Sequence, residues 1–153
     1  MADVLIYGAT GYMGKLCARE LLRVNIRPIL AGRGPAVRDL ARRLDCEHAV
    51  FDLRDANGVA GHLKGVALVI NLAGPFKQTQ IPLVRACLAA GCHYIDIAGE
   101  VDEMQSVHAF DDAARQAGIM LMPGAGFGVV PTDIAARMAQ ALLPNASALT
   151  ILL

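Results

Sequence analysis

The stretch YGATGYMGK, residues 7–15, follows an apolar run at residues 4–6. Gly8, Gly11 and Gly14 give it the spacing G-x-x-G-x-x-G between a predicted strand and a predicted helix. In such a loop one glycine supplies the tight turn, one lets the backbone approach a pyrophosphate, and one lets helix and strand pack closely. Free N–H groups and the positive end of the helix dipole then face the phosphates. The stretch predicts a dinucleotide-binding loop; the alternative is a glycine turn that only packs.

Local spacing excludes three other classes of protein. A P-loop requires G-x-x-x-x-G-K followed by Ser or Thr, whereas five residues separate Gly8 from Gly14 and Leu16 follows Lys15. A short-chain dehydrogenase or epimerase requires Tyr-x-x-x-Lys, and no tyrosine of this chain has a lysine four positions later. A serine hydrolase of the G-x-S-x-G type is excluded because that motif is absent.

The rest of the chain alternates short apolar strands with helical patterns. Strands are predicted at residues 4–7, 28–31, 48–51, 67–71, 93–97 and 119–122. Helices are predicted at residues 14–24, 36–44, 56–63, 80–90, 102–117 and 132–143. Strands that are apolar throughout are typical of parallel sheets covered on both faces. We therefore predict an α/β fold with a doubly wound parallel sheet, the three-layer αβα sandwich of NAD(P)-binding Rossmann proteins.

The composition is that of one domain with a large core. Hydrophobic residues make up 55% and charged residues 18% of the 153 residues, which excludes a disordered chain. Fourteen basic residues balance fourteen acidic ones, so no basic surface predicts a nucleic acid partner. The histidines lack metal-ligand spacing, and we predict no metal site. No segment has the pattern of a secretory signal or a membrane span, and we predict a cytoplasmic protein.

The last residues of the chain have a strand-like pattern. Residues 148–153 read ALTILL, without a polar tail. We predict that residues 1–145 form the dinucleotide-binding domain. Residues 146–153 are predicted to begin a strand that leads into a second domain.

The end of the second predicted strand indicates which dinucleotide is bound. NAD enzymes usually place a carboxylate there, about 20 residues after the glycine loop, to bind the ribose 2′-hydroxyl. This chain has Leu30-Ala31-Gly32-Arg33-Gly34 instead. A guanidinium binds a 2′-phosphate in bidentate fashion and stacks on adenine. Arg33 therefore favours NADP over NAD; the alternative is an ordinary surface arginine.

Two further segments follow strands at the same predicted edge of the sheet. Asp52 and Leu53, after the third strand, are expected at the adenine edge. Asn71, at the end of the fourth strand, is either a crevice residue beside the nicotinamide ribose or a turn residue that bonds its own backbone. The same crevice is predicted to be lined by Ala73, Gly74 and Pro75.

At this point the sequence resembles a known family. The segments that carry the resemblance are YGATGYMG at 7–14, AGR at 31–33, VINLAGPF at 69–76, ACLAAGCHYIDIAGE at 86–100 and PGAGFGVVPTD at 123–133. They are similar to segments of the saccharopine dehydrogenase-like family, which includes saccharopine reductases and trans-acting enoyl reductases. The last two segments are the more specific ones, since many nucleotide-binding families share the glycine loop.

The resemblance implies an NADP-binding Rossmann domain whose residues take stated roles. The pyrophosphate is expected to lie on Gly8, Thr10, Gly11, Tyr12, Met13 and Gly14. Arg33 is expected to bind the 2′-phosphate, and the nicotinamide half is expected beside Asn71, Ala73, Gly74 and Pro75. Tyr94 or Lys77 is a candidate proton donor, as is the second domain, and no residue is assigned as catalytic. The alternative to a proton-donor role for Tyr94 is a packed ring with its hydroxyl at the surface.

We thus predict the NADP-binding domain of an oxidoreductase that transfers hydride between NADP(H) and a small-molecule substrate. The chain alone is expected to bind cofactor with little turnover. The resemblance also implies a homodimer formed through the second domain. The alternative function is a non-enzymatic module that senses NADP and regulates a partner.

Overall fold

A computed structural model describes residues 3–151 of the chain. It contains one sheet of six parallel strands in the order β3-β2-β1-β4-β5-β6. The strands are β1 (Asp3–Tyr7), β2 (Ile29–Gly32), β3 (His48–Val50), β4 (Val66–Asn71), β5 (His93–Asp96) and β6 (Leu121–Met122). The helices are α1 (Tyr12–Arg23), α2 (Ala36–Leu44), α3 (Ala56–Val59), α4 (Phe76–Ala90), α5 (Val101–His108), α6 (Asp111–Ala117) and α7 (Val130–Leu142). A turn of 3-10 helix, Ala60–Leu63, follows α3. The predicted doubly wound fold is confirmed.

Both faces of the sheet are covered because both faces of its central strands are apolar. In β1, Leu5 contributes to one buried cluster and Ile6 to the other, as alternation of side chains along a strand requires. The first cluster packs under α4, with Leu83 and Val84 fully buried. The second packs under α1 and α2, with Ala18, Val37, Leu40 and Ala41 buried. The result is the predicted three-layer sandwich.

The order of the strands reverses between β1 and β4. Residue Ile6 of β1 pairs with Leu30 of β2 on one side and with Ile70 of β4 on the other. Strands β2 and β3 lie on one side of this point, and β5 and β6 lie beyond β4 on the other. In sheets of this kind ligands bind beyond the carboxyl ends of the strands at the reversal. The loops after β1 and β4 therefore define the place to look for a site.

Two helix predictions are corrected by the structure. The predicted helix at 80–90 begins four residues earlier, at Phe76, and Pro82 lies inside it rather than in its first turn. The Glu103 side chain accepts a hydrogen bond from the Lys77 N–H at 3.0 Å. This tertiary acceptor satisfies the helix end, and local sequence does not reveal it.

The predicted continuous helix at 102–117 is two helices. The break comes at Ala109 and Phe110, between α5 and α6. Phe110 packs against the buried cluster that includes Val107. Phe110 is partly buried there, and the contact of its side chain with the core accompanies the break between the two helices.

The C-terminal strand is not part of the sheet within the described residues. Residues 148–151 have no regular secondary structure and are exposed. Residues 152 and 153 lie outside the described residues, and the second domain stays a prediction. None of the helices between residues 3 and 151 is both long enough and apolar enough to cross a bilayer.

Candidate functional site

The glycine loop after β1 is shaped by two close backbone approaches. Gly8 has φ +86°, and a β-carbon there would lie 2.8 Å from the Ala73 nitrogen. A β-carbon at Gly14 would overlap the Gly8 carbonyl oxygen and lie 2.7 Å from the Ala9 α-carbon. Gly8 therefore joins the loop to the segment after β4, and Gly14 packs α1 against the loop. Both positions require glycine for packing reasons that hold without a ligand.

Gly11 is different because the space beside it is open. Its backbone is extended (φ −69°, ψ 172°), and a β-carbon there would meet only the Gly8 carbonyl oxygen, at 3.2 Å. Packing therefore constrains Gly11 through this one tight contact, and less than it constrains Gly8 and Gly14. An unfilled cradle at the first turn of a helix is where a pyrophosphate approaches the backbone. A phosphate group fits beside Gly11 because no side chain occupies that space.

The N-terminus of α1 offers backbone donors to such a group. The Gly8 and Ala9 N–H groups bond the Ala31 carbonyl at 3.0 and 3.1 Å, which fixes the loop to β2. By contrast, the first N–H groups of the helix have no acceptor among the described residues, and Gly11 provides no side-chain cap. These free donors belong to Tyr12, Met13 and Gly14. Unpaired N–H groups with the helix dipole behind them attract an anion.

A cleft of about 630 Å³ lies in front of the loop. A second cleft, of about 300 Å³, adjoins it and shares several of its residues. The structure brings together in these clefts most of the predicted site: Gly8, Thr10, Gly11, Arg33, Asp52, Leu53, Ala73, Gly74 and Pro75. Tyr12, Met13 and Gly14 line neither cleft, and the side chains of Tyr12 and Met13 are exposed.

Arg33 stands at the carboxyl end of β2, at the rim of the clefts. Its side chain is exposed, and it forms no ion pair with any residue between 3 and 151. The guanidinium is free to bind an anion. This is the arrangement that the predicted 2′-phosphate contact requires.

A second arginine reaches the same clefts, and sequence reasoning missed it. Arg54 donates to the carboxylate of Asp52 from Nε at 3.1 Å and from Nη2 at 2.7 Å. The Arg54 hydrogen bonds, from its side chain and then its backbone, lower the pKa of Asp52 to about 2. Asp52 therefore stays ionised and holds Arg54 at the rim. The spacing Asp-x-Arg after β3 is the signal that would have found this pair.

Tyr7 forms the floor of the cleft on the same side. It is 2% exposed, and its hydroxyl donates to the Phe51 carbonyl oxygen at 3.3 Å. Burial, and then the nearby charge of Asp52, raise the pKa of Tyr7 to about 12. The Tyr7 side chain is thus an uncharged part of the lining of both clefts.

Asn71 is the exception among the predicted crevice residues. Its side chain is completely buried and lines neither cleft. Its Oδ1 accepts the Ala73 N–H at 3.1 Å, as the turn interpretation required, and its Nδ2 donates to Thr79 and Tyr94 at 3.0 Å each. The interpretation of Asn71 as a direct crevice contact is therefore corrected. Its side-chain amide oxygen and nitrogen both bond to other groups of the protein, and Asn71 affects the crevice only through Ala73.

Tyr94 is likewise removed from the crevice. It is fully buried, and its hydroxyl donates to Asp96 at 2.8 Å. Burial, followed by the charge of Asp96, raises its pKa far above the usual value. Both earlier readings of Tyr94, as a proton donor in the crevice and as a ring with a surface hydroxyl, are therefore wrong. Lys77 is exposed at the start of α4 and remains a candidate.

Another cavity, of about 640 Å³, lies at the amino end of the strands. Asp3, Arg27, Asp45 and Glu47 are among its lining residues, and Arg27 and Asp45 form an ion pair at its rim. We place the site at the opposite edge. The glycine loop, the free helix donors and the unpaired Arg33 all lie there, and ligands of parallel sheets bind at carboxyl ends. Within residues 3–151 no cluster of three metal-ligating side chains occurs.

Comparison with known proteins shows the family to which the chain belongs. Residues 4–122 match the family described as the saccharopine dehydrogenase NADP binding domain. The chain is 34% identical over 142 residues to a Mycobacterium tuberculosis protein named as a trans-acting enoyl reductase, covering 86% of this chain and 34% of that protein. It is 29% identical over 150 residues to an Arabidopsis thaliana protein named as a mitochondrial saccharopine dehydrogenase-like oxidoreductase, covering 86% and 33%.

The fold is also that of a solved structure. Saccharopine dehydrogenase (L-Glu forming) from Saccharomyces cerevisiae superposes with a TM-score of 0.80 at 18% identity, over 95% of this chain and 32% of that one. The chain spans about a third of the length of the curated relatives it matches. The family match extends over most of the chain and over every strand of the sheet. This chain belongs to the saccharopine dehydrogenase NADP binding domain family.

Proposed function

We propose that the chain binds NADP(H) for an oxidoreductase that transfers hydride between this cofactor and a small-molecule substrate. The single observation that carries the proposal is the conjunction at one sheet edge of an open phosphate cradle at Gly11 and an unpaired guanidinium at Arg33. The family to which the chain belongs is described by NADP binding, and its relatives are named as oxidoreductases.

The pyrophosphate would lie on the loop after β1. Gly11 leaves it room, and the N–H groups of Tyr12, Met13 and Gly14 are the available donors. Gly8 holds the loop against the segment after β4, and Thr10 lines the cleft. The binding energy here comes from backbone groups, so the loop favours no particular base or sugar.

The adenosine half would lie toward β2 and β3. Arg33 is proposed to bind the 2′-phosphate, with Arg54 as a second cation held in place by Asp52. Asp52 and Leu53 would border the adenine. Two cations and one carboxylate leave a net positive rim, which suits the 2′-phosphate and disfavours an NAD-type site.

The nicotinamide half would lie along Ala73, Gly74 and Pro75 after β4. Bound NADPH would supply the hydride, and the residues of this chain would bind and orient it. Because Tyr94 is buried, Lys77, which is exposed but lines neither cleft, is the remaining candidate proton donor from this chain. We expect the 153-residue chain to bind cofactor with little turnover. A homodimer through a second domain and a cytoplasmic location remain predictions.

A titration of the chain with NADPH tests the proposal. Gly11→Val fills the open cradle, so we expect it to weaken NADPH binding by at least about tenfold, the equivalent of one or two lost charge-assisted hydrogen bonds. The added β-carbon lies 3.2 Å from the Gly8 carbonyl oxygen, so urea unfolding is measured to check that the variant still folds. Gly61→Val is the matched control: nothing lies within 4 Å of a β-carbon there, and Gly61 is remote from the clefts. Unchanged NADPH binding by Gly11→Val would refute the cradle.

A further inference from the structure

A group of buried polar side chains lies behind the nicotinamide side of the clefts. Among the described residues, Asn71, Gln80 and Asp96 are buried to at least 99%. With the fully buried Tyr94 they form one connected network, which we call the buried network. Burial of this many polar groups is costly unless each finds partners. The partners they find connect separate loops at the carboxyl edge of the sheet.

Asp96 is the centre of the buried network. Its Oδ2 accepts from Gln80 Nε2 at 2.7 Å and from the Tyr94 hydroxyl at 2.8 Å. Its Oδ1 accepts from the backbone N–H groups of Ala98 and Gly124, each at 3.0 Å. Four donors converge on one carboxylate, and no cation is among them. A hydrogen-bonded carboxylate of this kind is an anchor for the groups that donate to it.

Asn71 carries the network to the crevice. The Tyr94 hydroxyl accepts from Asn71 Nδ2, and Asn71 Oδ1 in turn accepts the N–H of Ala73. Thr79 closes the loop: its hydroxyl donates to the Ala73 carbonyl at 2.7 Å and accepts from Asn71. Both polar atoms of the Ala73 backbone are therefore fixed from inside the protein.

The other end of the network fixes the glycine-rich loop after β6. Besides the bond to Gly124, the Ala125 N–H donates to the Asp96 carbonyl at 2.7 Å. A β-carbon at Gly124 would lie 2.9 Å from Met104 Cε, and one at Gly126 would lie 3.1 Å from Ile97 Cβ. The loop is close-packed rather than a flexible connection. One carboxylate thus ties the segments after β4, β5 and β6 together.

We propose that Tyr94 and Asp96 are positioning residues for the nicotinamide half of NADP(H). They act through Asn71 on the backbone of residues 72–75, and they touch neither cofactor nor substrate. The proposal rests on the proposed function, because it assumes that NADP(H) lies along that segment. The buried network then holds residues 72–75 in one conformation. This lowers the conformational entropy that is lost when the nicotinamide ring binds.

Two ligands of different length separate this role from a general role in folding. Adenosine 2′,5′-bisphosphate contains the adenine and the 2′-phosphate but no nicotinamide, whereas NADPH contains both halves. In Tyr94→Phe, which removes the hydroxyl between Asn71 and Asp96, we expect NADPH to bind about threefold to tenfold more weakly, the range for one lost hydrogen bond. Binding of adenosine 2′,5′-bisphosphate should stay within about twofold of wild type, well below that range.

Tyr7→Phe is the matched control, on strand β1 in the same buried cluster as Tyr94. It also removes one buried hydroxyl, and that hydroxyl bonds the Phe51 carbonyl beside the adenosine half. We expect any change in Tyr7→Phe to be of the same factor for both ligands. If Tyr94→Phe does not fold, Asp96→Asn provides the comparison, because it turns one acceptor oxygen at the centre of the buried network into a donor and Asp96 lines neither cleft.

The outcomes distinguish the two proposals. Selective weakening of NADPH binding in Tyr94→Phe or Asp96→Asn supports the positioning role. Equal weakening of both ligands, or no change in either, overturns it while leaving the proposed function intact. If the wild-type chain binds neither ligand, the proposed function fails and the positioning role fails with it. Fluorescence of the bound dihydronicotinamide gives an independent readout: we expect less enhancement in the variant at saturation, and equal enhancement counts against the proposal.

Discussion

The two halves of the sheet use their polar residues in opposite ways. On the side of β2 and β3, Arg33 and Arg54 are exposed at the rim of the clefts, and Asp52 is bonded to one of them alone. On the side of β4 and β5, Asp96 is fully buried and accepts four hydrogen bonds. In the first half, charged side chains at the rim are available to a ligand. In the second half, the charged carboxylate of Asp96 bonds only to groups of the protein.

This difference separates recognition from positioning. An exposed guanidinium contributes little to stability, since surface ion pairs are worth at most about 1 kcal/mol, and it is free to bind an anion. A buried carboxylate with every acceptor site filled is unavailable to a ligand, but its loss disturbs all of its donors. We therefore expect substitutions in the first half to change affinity, and substitutions in the second to change stability and geometry.

The boundary between the halves gives the largest expected effect. Gly8→Ala combines a positive φ with a β-carbon 2.8 Å from the Ala73 nitrogen. We expect a loss of about 3 kcal/mol in the free energy of unfolding, since neither the backbone nor the neighbouring loop can accommodate the methyl group. Gly65→Ala is the control: φ is +81°, but nothing lies within 4 Å. It should lose only about 1–2 kcal/mol from the left-handed backbone. Equal losses in urea unfolding would contradict the close contact.

Replacing one aspartate in each half tests the comparison itself. Asp96→Asn replaces one acceptor oxygen with an NH2 donor that faces other donors, and we expect it to lower the free energy of unfolding by about 2 kcal/mol. Asp52→Asn removes a partly exposed ion pair and should leave stability nearly unchanged. Chemical denaturation of both variants measures the difference. A larger loss for Asp52→Asn would reverse the roles that we assign to the two halves.

The tyrosines of the two halves should titrate differently. Burial raises the pKa of Tyr7 to about 12 and that of Tyr94 further. Because the folded-state pKa exceeds the unfolded value of about 10, the stability gained from neutral Tyr7 is complete below pH 10 and lost as the pH rises toward 12. Phenolate absorbance should show Tyr7 ionising near pH 12 and Tyr94 ionising only on unfolding. Tyr7→Phe and Tyr94→Phe assign the two transitions, and ionisation of Tyr94 in the folded protein near pH 10 would contradict its burial.

The smallest effect is expected in acid. The Arg54 hydrogen bonds hold the pKa of Asp52 at about 2, below the ordinary value of 3.8. The stability that this depression supplies is present above pH 3.8 and is lost as the pH falls toward 2. The wild-type chain should thus lose slightly more stability than Asp52→Asn over this interval. Identical acid unfolding curves would show that the ion pair is not maintained in solution.

The sequence predicted the fold because its signals were local. The apolar strands and the glycine loop are each recognised from residues within or next to the element they define. The break at Phe110 and the early start at Phe76 were missed because both depend on tertiary contacts, with the core and with Glu103. Periodicity along one segment contains no record of such contacts.

In the candidate site, too, the features set by local sequence could be predicted, and those set by tertiary contacts could not. Gly11 and Arg33 could be identified from spacing alone, since backbone shape and charge at a strand end are local properties. Arg54 was missed because its position depends on the carboxylate of Asp52. The turn bond of Asn71 to the Ala73 N–H was one of its two predicted roles, but its bonds to Thr79 and Tyr94 were missed because these partners are 8 and 23 residues away along the chain. Only the fold shows that these side chains satisfy each other.

The most direct test of the account is calorimetric titration of the chain with NADPH and with NADH, repeated on Arg33→Ala. We expect the wild-type chain to prefer NADPH by about tenfold or more, the value of a charge-assisted contact to the 2′-phosphate. Arg33→Ala should remove most of that preference and leave NADH binding nearly unchanged. A wild-type chain that binds both cofactors equally, or a preference that survives in Arg33→Ala, would contradict the assignment of the exposed half of the sheet to recognition of the 2′-phosphate.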